Sequence, residues 1–259
     1  MMDKPGFILK WRGKGFGERL MVALLSCILT DNGINTVFGH RYKILVDCPI
    51  HDLDNKMHRT YKRIFCEYET TEEPIILQRI KYFEELTKRK IEVTKNHIPV
   101  KFYDIPSIPS VDVVMCTRSG AYSPYRNWPY FDELKKLLNK EKISFVDLNA
   151  EEIFNIECLN YVKKSKLYLG LETGTSHYVS QFANGKALIL QGGFSIFDFW
   201  AYPYDYEYLQ INNIHCRPCF INRGNIKEGQ GCKYDNMCMK EIKANQVFTR
   251  IIQKLLRGV

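Results

Sequence analysis

Apolar and polar positions follow two rhythms along this chain. In its first hundred residues, FILKW (7–11), INTVF (34–38) and YKILV (42–46) carry the short apolar runs that predict strands. Residues 18–32 carry a helical pattern between the first two of these runs. The stretch 50–96 is dense in charged and aromatic side chains and predicts helices near 54–66 and 74–91. VKFYD (100–104) reads as a further strand. IPSIPS (105–110) then sets two prolines close together, which disfavours both helix and sheet interior and marks a linker.

Beyond the linker the rhythms alternate strictly. VDVVMCT (111–117), KISFVDL (142–148), KLYLGL (166–171) and KALILQ (186–191) predict buried strands. Between them lie helical segments at 129–141, 151–164 and 176–183; the first has Pro129 near its start and apolar Phe131, Leu134, Leu137 and Leu138. An amphipathic segment at about 239–257, with Ile242, Val247, Ile251 and Leu255 on its apolar side, predicts a C-terminal helix. Alternating strand and helix is the pattern of a doubly wound parallel sheet. The expected fold is therefore α/β, with one domain over residues 1–107 and a second over 108–259.

Charge adds a partner class. The chain has 37 Lys and Arg against 29 Asp and Glu, a formal net charge of +8. That balance suits nucleic acid, a membrane surface or a phosphorylated small molecule; a merely Lys-rich surface is the bland alternative. No apolar run reaches the roughly 18–20 residues of a membrane span. The opening MMDKPGFILKW lacks a basic stretch followed by a long apolar core, so no signal peptide is expected. Five of the nine cysteines (27, 48, 66, 116 and 158) are scattered among apolar runs as small hydrophobes. A reducing, cytoplasmic setting fits that usage.

Three junctions carry candidate chemistry. In KLYLGLETGTSHYVSQFANGKALIL (166–190), the polar ETGTSH (172–177) stands between a strand and a helix. Its small residues let an anion approach the backbone, and ligands of open α/β sheets bind at the carboxyl ends of strands. The plainer reading is that Thr175 or Ser176 caps a helix. GKGFGERL (13–20) is a second glycine-rich strand-to-helix junction, neither a Walker loop nor a dinucleotide fingerprint. It places Lys14 and Glu18 at the end of the first strand, where a carboxylate suits proton abstraction or simply complements a helix dipole. The loop 117–134 carries Arg118 and Arg126, whose guanidinium groups suit phosphate, though each is also an ordinary surface residue.

Taken in order, these pieces resemble bacterial glycosyltransferase family nine, the lipopolysaccharide heptosyltransferase group. GFGERLMVALLSCIL is similar to the family's G-D-x-L-M-x-x-P-x-L helix, and SGAYSPYRNWPYFDELKKLL to its P-G-A…K-x-W-P loop and helix. GLETGTSHYVSQFANGKALIL resembles its G-x-D-T-G-x-S-H segment, and the cysteine-containing tail its C-x-P-C…C…C segment. The resemblance spans most of 108–259 and about the first 30 residues.

It implies the GT-B fold, two Rossmann-like domains facing each other across a cleft, and an inverting transfer from a nucleotide-diphosphate sugar such as ADP-heptose. The acceptor would be a glycan, lipopolysaccharide or another lipid-linked surface molecule. Glu18 stands at the family's general-base Asp, and Arg126 at its phosphate-binding Lys. Glu172, Thr173, Gly174, Thr175, Ser176 and His177 would hold the diphosphate, with Lys14 a further candidate for the same cleft. Catalysis would need no metal. The chain departs from the family in having Glu for Asp at 18 and 172, a methylene's extra reach on the order of 1 Å, the scale of misplacement that can cost about a hundredfold in rate. A catalytically inactive nucleotide-sugar-binding relative is the corresponding alternative.

The tail holds Cys216-x2-Cys219-x12-Cys232-x5-Cys238. Four thiols at this spacing suit a closed structural zinc or iron site, or four reduced thiols packing a loop. With Arg217, Arg223, Lys227, Lys233 and Lys240 nearby, a zinc-binding nucleic-acid module is the competing class. Those charges form no long stripe, so no nucleic-acid partner is expected. The aromatic run 194–209 suits base stacking, the lining of a sugar or nucleotide cleft, or the core, and for Phe197, Phe199 and Trp200 the core is the first expectation. The basic surface is compatible with peripheral contact at an anionic inner-membrane face.

Overall fold

The computed structural model describes residues 7–10, 16–34, 36–38, 62–65, 75–94, 108–120, 123–148, 156–180, 183, 185–193, 206–217, 219, 226–227 and 231–258. The chain divides into two compact units, Met1–Lys101 with Asp198–Pro203, and Phe102–Phe197 with Tyr204–Val259.

In the first unit, β1 (Phe7–Lys10) lies between β2 (Thr36–Phe38) and β3 (Lys62–Phe65), and both pairings are parallel. Helix α1 (Phe16–Asp31) follows β1, as the helical pattern predicts. Its residues 21–26 are buried without a break, along with Ile28 and Leu29. Such a helix must satisfy its polar side chains internally: Ser26 Oγ and Thr36 Oγ1 are 2.9 Å apart, and Thr36 Oγ1 donates to the Ser26 carbonyl at 3.1 Å. These bonds tie α1 to β2. Helix α2 (Ile75–Thr87) buries Ile76, Ile80 and Phe83, and Phe83 meets Phe7 edge to face at 5.5 Å.

One predicted element is corrected here. The helix expected near 54–66 overlaps β3, where Lys62–Phe65 runs beside β1 with Ile64 opposite Leu9. Pairing with a buried strand outweighs the helical tendency of a charged segment. The strands expected at 42–46 and 100–104 lie outside the described residues, as do residues 54–61, Phe197, Phe199 and Trp200.

The second unit is built on a five-stranded parallel sheet of order β5-β4-β6-β7-β8. Its strands are β4 (Val113–Cys116), β5 (Phe145–Leu148), β6 (Leu167–Leu171), β7 (Ala187–Leu190) and β8 (Glu207–Leu209). Strands β4, β6 and β7 are buried at every position, the mark of a sheet covered on both faces. The covering helices are α3 (Phe131–Lys140), α4 (Ile156–Lys164) and α5 (Gly174–Ser180). The chain moves outward from β4 to β5, then returns past β4 to β6 and on to β7. Strand order therefore reverses between β4 and β6, the kind of place where ligands of open α/β sheets bind.

A two-residue hairpin, β9 (Ile226–Lys227) with β10 (Gly231–Cys232), precedes α6 (Met237–Lys240) and α7 (Ala244–Arg257). The single C-terminal helix expected over 239–257 is thus two helices. Trp128 explains the break: its indole Nε1 donates to the Ile242 carbonyl at 2.7 Å, taking an acceptor that a continuous helix would use itself. Lys243 is extended there (φ −87°, ψ 150°), and Gln246 caps its N–H at 2.9 Å. Helix α7 is then held against the sheet edge by Glu207, which pairs with Arg250 and, at 3.2 Å, with Lys254. Lys254 also donates to the Gly185 carbonyl at 3.0 Å.

Candidate functional site

The reversal point brings together residues far apart in sequence. After β4 the chain folds back on itself: Ser119 Oγ donates to the Ser123 carbonyl at 2.6 Å, and Ser119 N–H to Asn127 Oδ1 at 2.9 Å. This closes the loop around a 3-10 turn, Pro124–Arg126. Pro124 presets the backbone for that turn. The result aims Arg126 at the end of β6.

There Arg126 meets Glu172. Its Nη1 donates to the Glu172 backbone carbonyl at 2.8 Å, and its Nε lies 3.2 Å from Glu172 Oε2. On the other side of the carboxylate, His177 Nε2 stands 3.7 Å from Oε1. Glu172 and His177 are 2% and 3% exposed, while the Arg126 side chain reaches 17%. Burial lowers the imidazole's affinity for a proton below the ordinary histidine value, although the Glu172 carboxylate works against this. Histidine is therefore held toward its neutral form beside a carboxylate already served by arginine.

The rest of the turn is anchored from beneath. Helix α5 starts at Gly174, two residues before the predicted segment, with His177 N–H bonding the Thr173 carbonyl at 3.1 Å. Ser176 Oγ donates to the Leu171 carbonyl and lies 3.2 Å from the Tyr168 hydroxyl. Ser176 therefore locks the helix onto β6. Burial pushes the thiol of Cys116, at the end of β4 and donating to the Arg118 carbonyl at 3.8 Å, above its ordinary value. Thr173 Oγ1 is buried with no hydrogen-bond partner among the described residues. Because α5 has only seven residues, about two turns, positive charge at this turn rests on Arg126 more than on the helix end.

This packing makes a sharp prediction. A Cβ on Gly170 would come within 2.5 Å of both Ser176 Oγ and the Tyr168 hydroxyl, which are buried and bonded to each other. Gly170→Ala is expected to destabilise the protein by about 1–3 kcal/mol, the usual cost of overpacking. A denaturant midpoint equal to wild type would contradict this arrangement.

The remaining predicted positions are distributed as follows. Glu18 falls in the first turn of α1, in the first unit. Its side chain and Lys14 lie outside the described residues. All four tail cysteines are free thiols, with Cys216, Cys219 and Cys238 buried. Cys219 is pushed up to about 12, first by burial and then by Cys216, Cys232 and Cys238. Cys219 N–H donates to the Gly193 carbonyl at 2.8 Å. The chemistry of the four thiols suits a thiophilic cation. Their arrangement does not form a coordination sphere: among the described residues, no group of three or more His, Cys, Asp or Glu could hold a metal ion. Sequence reasoning placed Arg126 and Glu172 at one site but missed their bond to each other. The only signal for it was a basic residue near the end of one strand and an acidic one at the end of another.

Solved structures place this architecture. The chain is similar to the iron-containing dodecameric glycosyltransferase TibC from enterotoxigenic E. coli, over 99% of this chain and 80% of that one, at TM-score 0.66 and 14% identity. It is likewise similar to dodecameric iron-containing heptosyltransferase TibC in complex with ADP-D-β-D-heptose, over 99% and 77%, at TM-score 0.63 and 12% identity. E. coli ADP-heptose lipopolysaccharide heptosyltransferase II matches over 97% and 99%, at TM-score 0.51 and 11% identity. What is shared at such identities is the fold, and it is the fold of heptosyltransferase structures, as the sequence resemblance implies. No protein-family model and no curated protein matches the sequence. Among the described residues no helix is long and apolar enough to cross a membrane.

Proposed function

We propose that this protein is an inverting glycosyltransferase of the GT-B type, moving a sugar from a nucleotide-diphosphate donor to a glycan, lipopolysaccharide or other lipid-linked acceptor. ADP-heptose is the leading donor. The observation that carries the reading is Arg126 meeting the Glu172–His177 turn where the parallel sheet reverses its strand order. The fold likeness to TibC, whose structure contains ADP-D-β-D-heptose, and to heptosyltransferase II supports it.

In this reading residues 108–259 bind the donor and residues 1–107 the acceptor, as two Rossmann-like domains across a cleft. Glu18 takes the proton from the acceptor hydroxyl. The oxygen attacks the anomeric carbon from the face opposite the diphosphate, and the bond to the diphosphate breaks with inversion. Charge developing on the leaving group is met by Arg126, by backbone N–H groups of residues 173–176 and by Lys14, with His177 N–H kept by the Thr173 carbonyl. No step passes through the tail cysteines; a zinc or iron ion bound there would be structural. The enzyme works in the cytoplasm, and its net positive charge favours contact with an anionic membrane where lipid-linked acceptors sit.

A thermal-shift screen tests this. Free ADP-heptose at about 100 times its Kd adds on the order of 2.7 kcal/mol through linkage, a rise of several degrees in Tm. UDP- and GDP-sugars and a single-stranded DNA oligonucleotide serve as comparators. A shift with the DNA and none with any nucleotide sugar would overturn the proposal in favour of a nucleic-acid module.

A further inference from the structure

We infer that Glu172 is a positioning residue: it does not itself touch the donor but fixes the plane of the Arg126 guanidinium, so that Arg126 is already aimed when the diphosphate arrives. The inference rests on the donor-site reading above and deepens it. The resemblance alone implies that all of Glu172–His177 contacts the donor, and for a carboxylate that is an electrostatic difficulty, because like charges repel. The geometry removes the difficulty.

A guanidinium is planar, so two fixed points on one edge determine where its other N–H groups aim. Glu172 supplies both points. Its backbone carbonyl takes Nη1 at 2.8 Å and its carboxylate faces Nε at 3.2 Å. The carboxylate is itself fixed, being 2% exposed with His177 on its far side at 3.7 Å. The Arg126 side chain, at 17%, is the more exposed member of the pair. Exposure thus rises from His177 and Glu172 to Arg126, with the cation outermost. An arginine ordered before binding loses less conformational entropy when the ligand arrives. Glu172 therefore acts through Arg126.

Two roles for Glu172 predict opposite signs. A carboxylate that merely occupied Arg126 would compete with the diphosphate, and its removal would tighten binding. A carboxylate that orients Arg126 would weaken binding when removed. Calorimetric titration with ADP on wild type, Glu172→Gln, Arg126→Met and the double variant separates them.

Glu172→Gln is expected to weaken ADP binding about tenfold, within the range of coupling between residues of one salt-bridge network. In the Arg126→Met background the same change is expected to cause no loss, since the residue it acts through is gone. Glu172→Asp keeps the charge but withdraws it by one methylene; it is expected to weaken ADP binding too, and it serves if Glu172→Gln does not fold. Unchanged or tighter binding by Glu172→Gln would overturn the inference, and so would equal losses in both Arg126 backgrounds, which mark a structural role. Failure of wild type to bind ADP or any nucleotide sugar would instead overturn the donor-site reading, and this inference with it.

Discussion

Glu18→Gln is expected to lower sugar transfer by about 10²–10⁴-fold, the usual contribution of a positioned general base. The amide keeps the shape and hydrogen-bonding reach of the carboxylate but cannot accept the acceptor's proton. The hydroxyl would then have to attack as a neutral nucleophile. Donor binding is expected to stay at the wild-type level, because Arg126 and residues 173–177 belong to the second unit and Glu18 to the first. The check is ADP release from ADP-heptose with a lipopolysaccharide acceptor, read beside the ADP affinity of the same variant. Full turnover would remove Glu18 as base. Loss of turnover and of ADP affinity together would make it a binding group instead.

The second large effect is on stability. Arg126→Met leaves the Glu172 carboxylate buried beside a histidine that burial holds toward neutrality. Removing one partner of a buried ion pair commonly costs about 3–5 kcal/mol, because the surviving charge stays desolvated without compensation. The expected loss is of that size, measured by urea denaturation. Adding Glu172→Gln to Arg126→Met should recover a good part of it, since the stranded charge is then gone. Additive destabilisation in the double variant would mean that the two side chains do not pair in solution. The recovery also gives the calorimetric cycle a folded background in which to work.

Legibility in the sequence differed by element, for physical reasons. Helix α3 was readable because Phe131, Leu134 and Leu138 recur at helical spacing and are buried together. Strands β4, β6 and β7 were readable because a sheet covered on both faces demands unbroken apolar runs. β3 was not, since Lys62–Phe65 has little strand pattern of its own and is specified by its register against β1. The break before α7 was hidden for a similar reason. Trp128 captures the carbonyl of Ile242 from 114 residues away, and no local pattern announces that bond.

The candidate site divides the same way. The small residues of ETGTSH, at the end of an apolar run, marked a strand-to-helix turn in advance, because local spacing reports local backbone. The thiols of the tail were visible as a group but not as an arrangement.

Order and periodicity along the chain determined by themselves that this protein alternates strands and helices around parallel sheets, since each element must bury an apolar face of its own period. Which side of β4 received β6, and hence that Arg126 closes on Glu172 across 46 residues, was decided only in the tertiary structure. Strand order depends on how all the apolar faces pack at once, and no local segment carries that information.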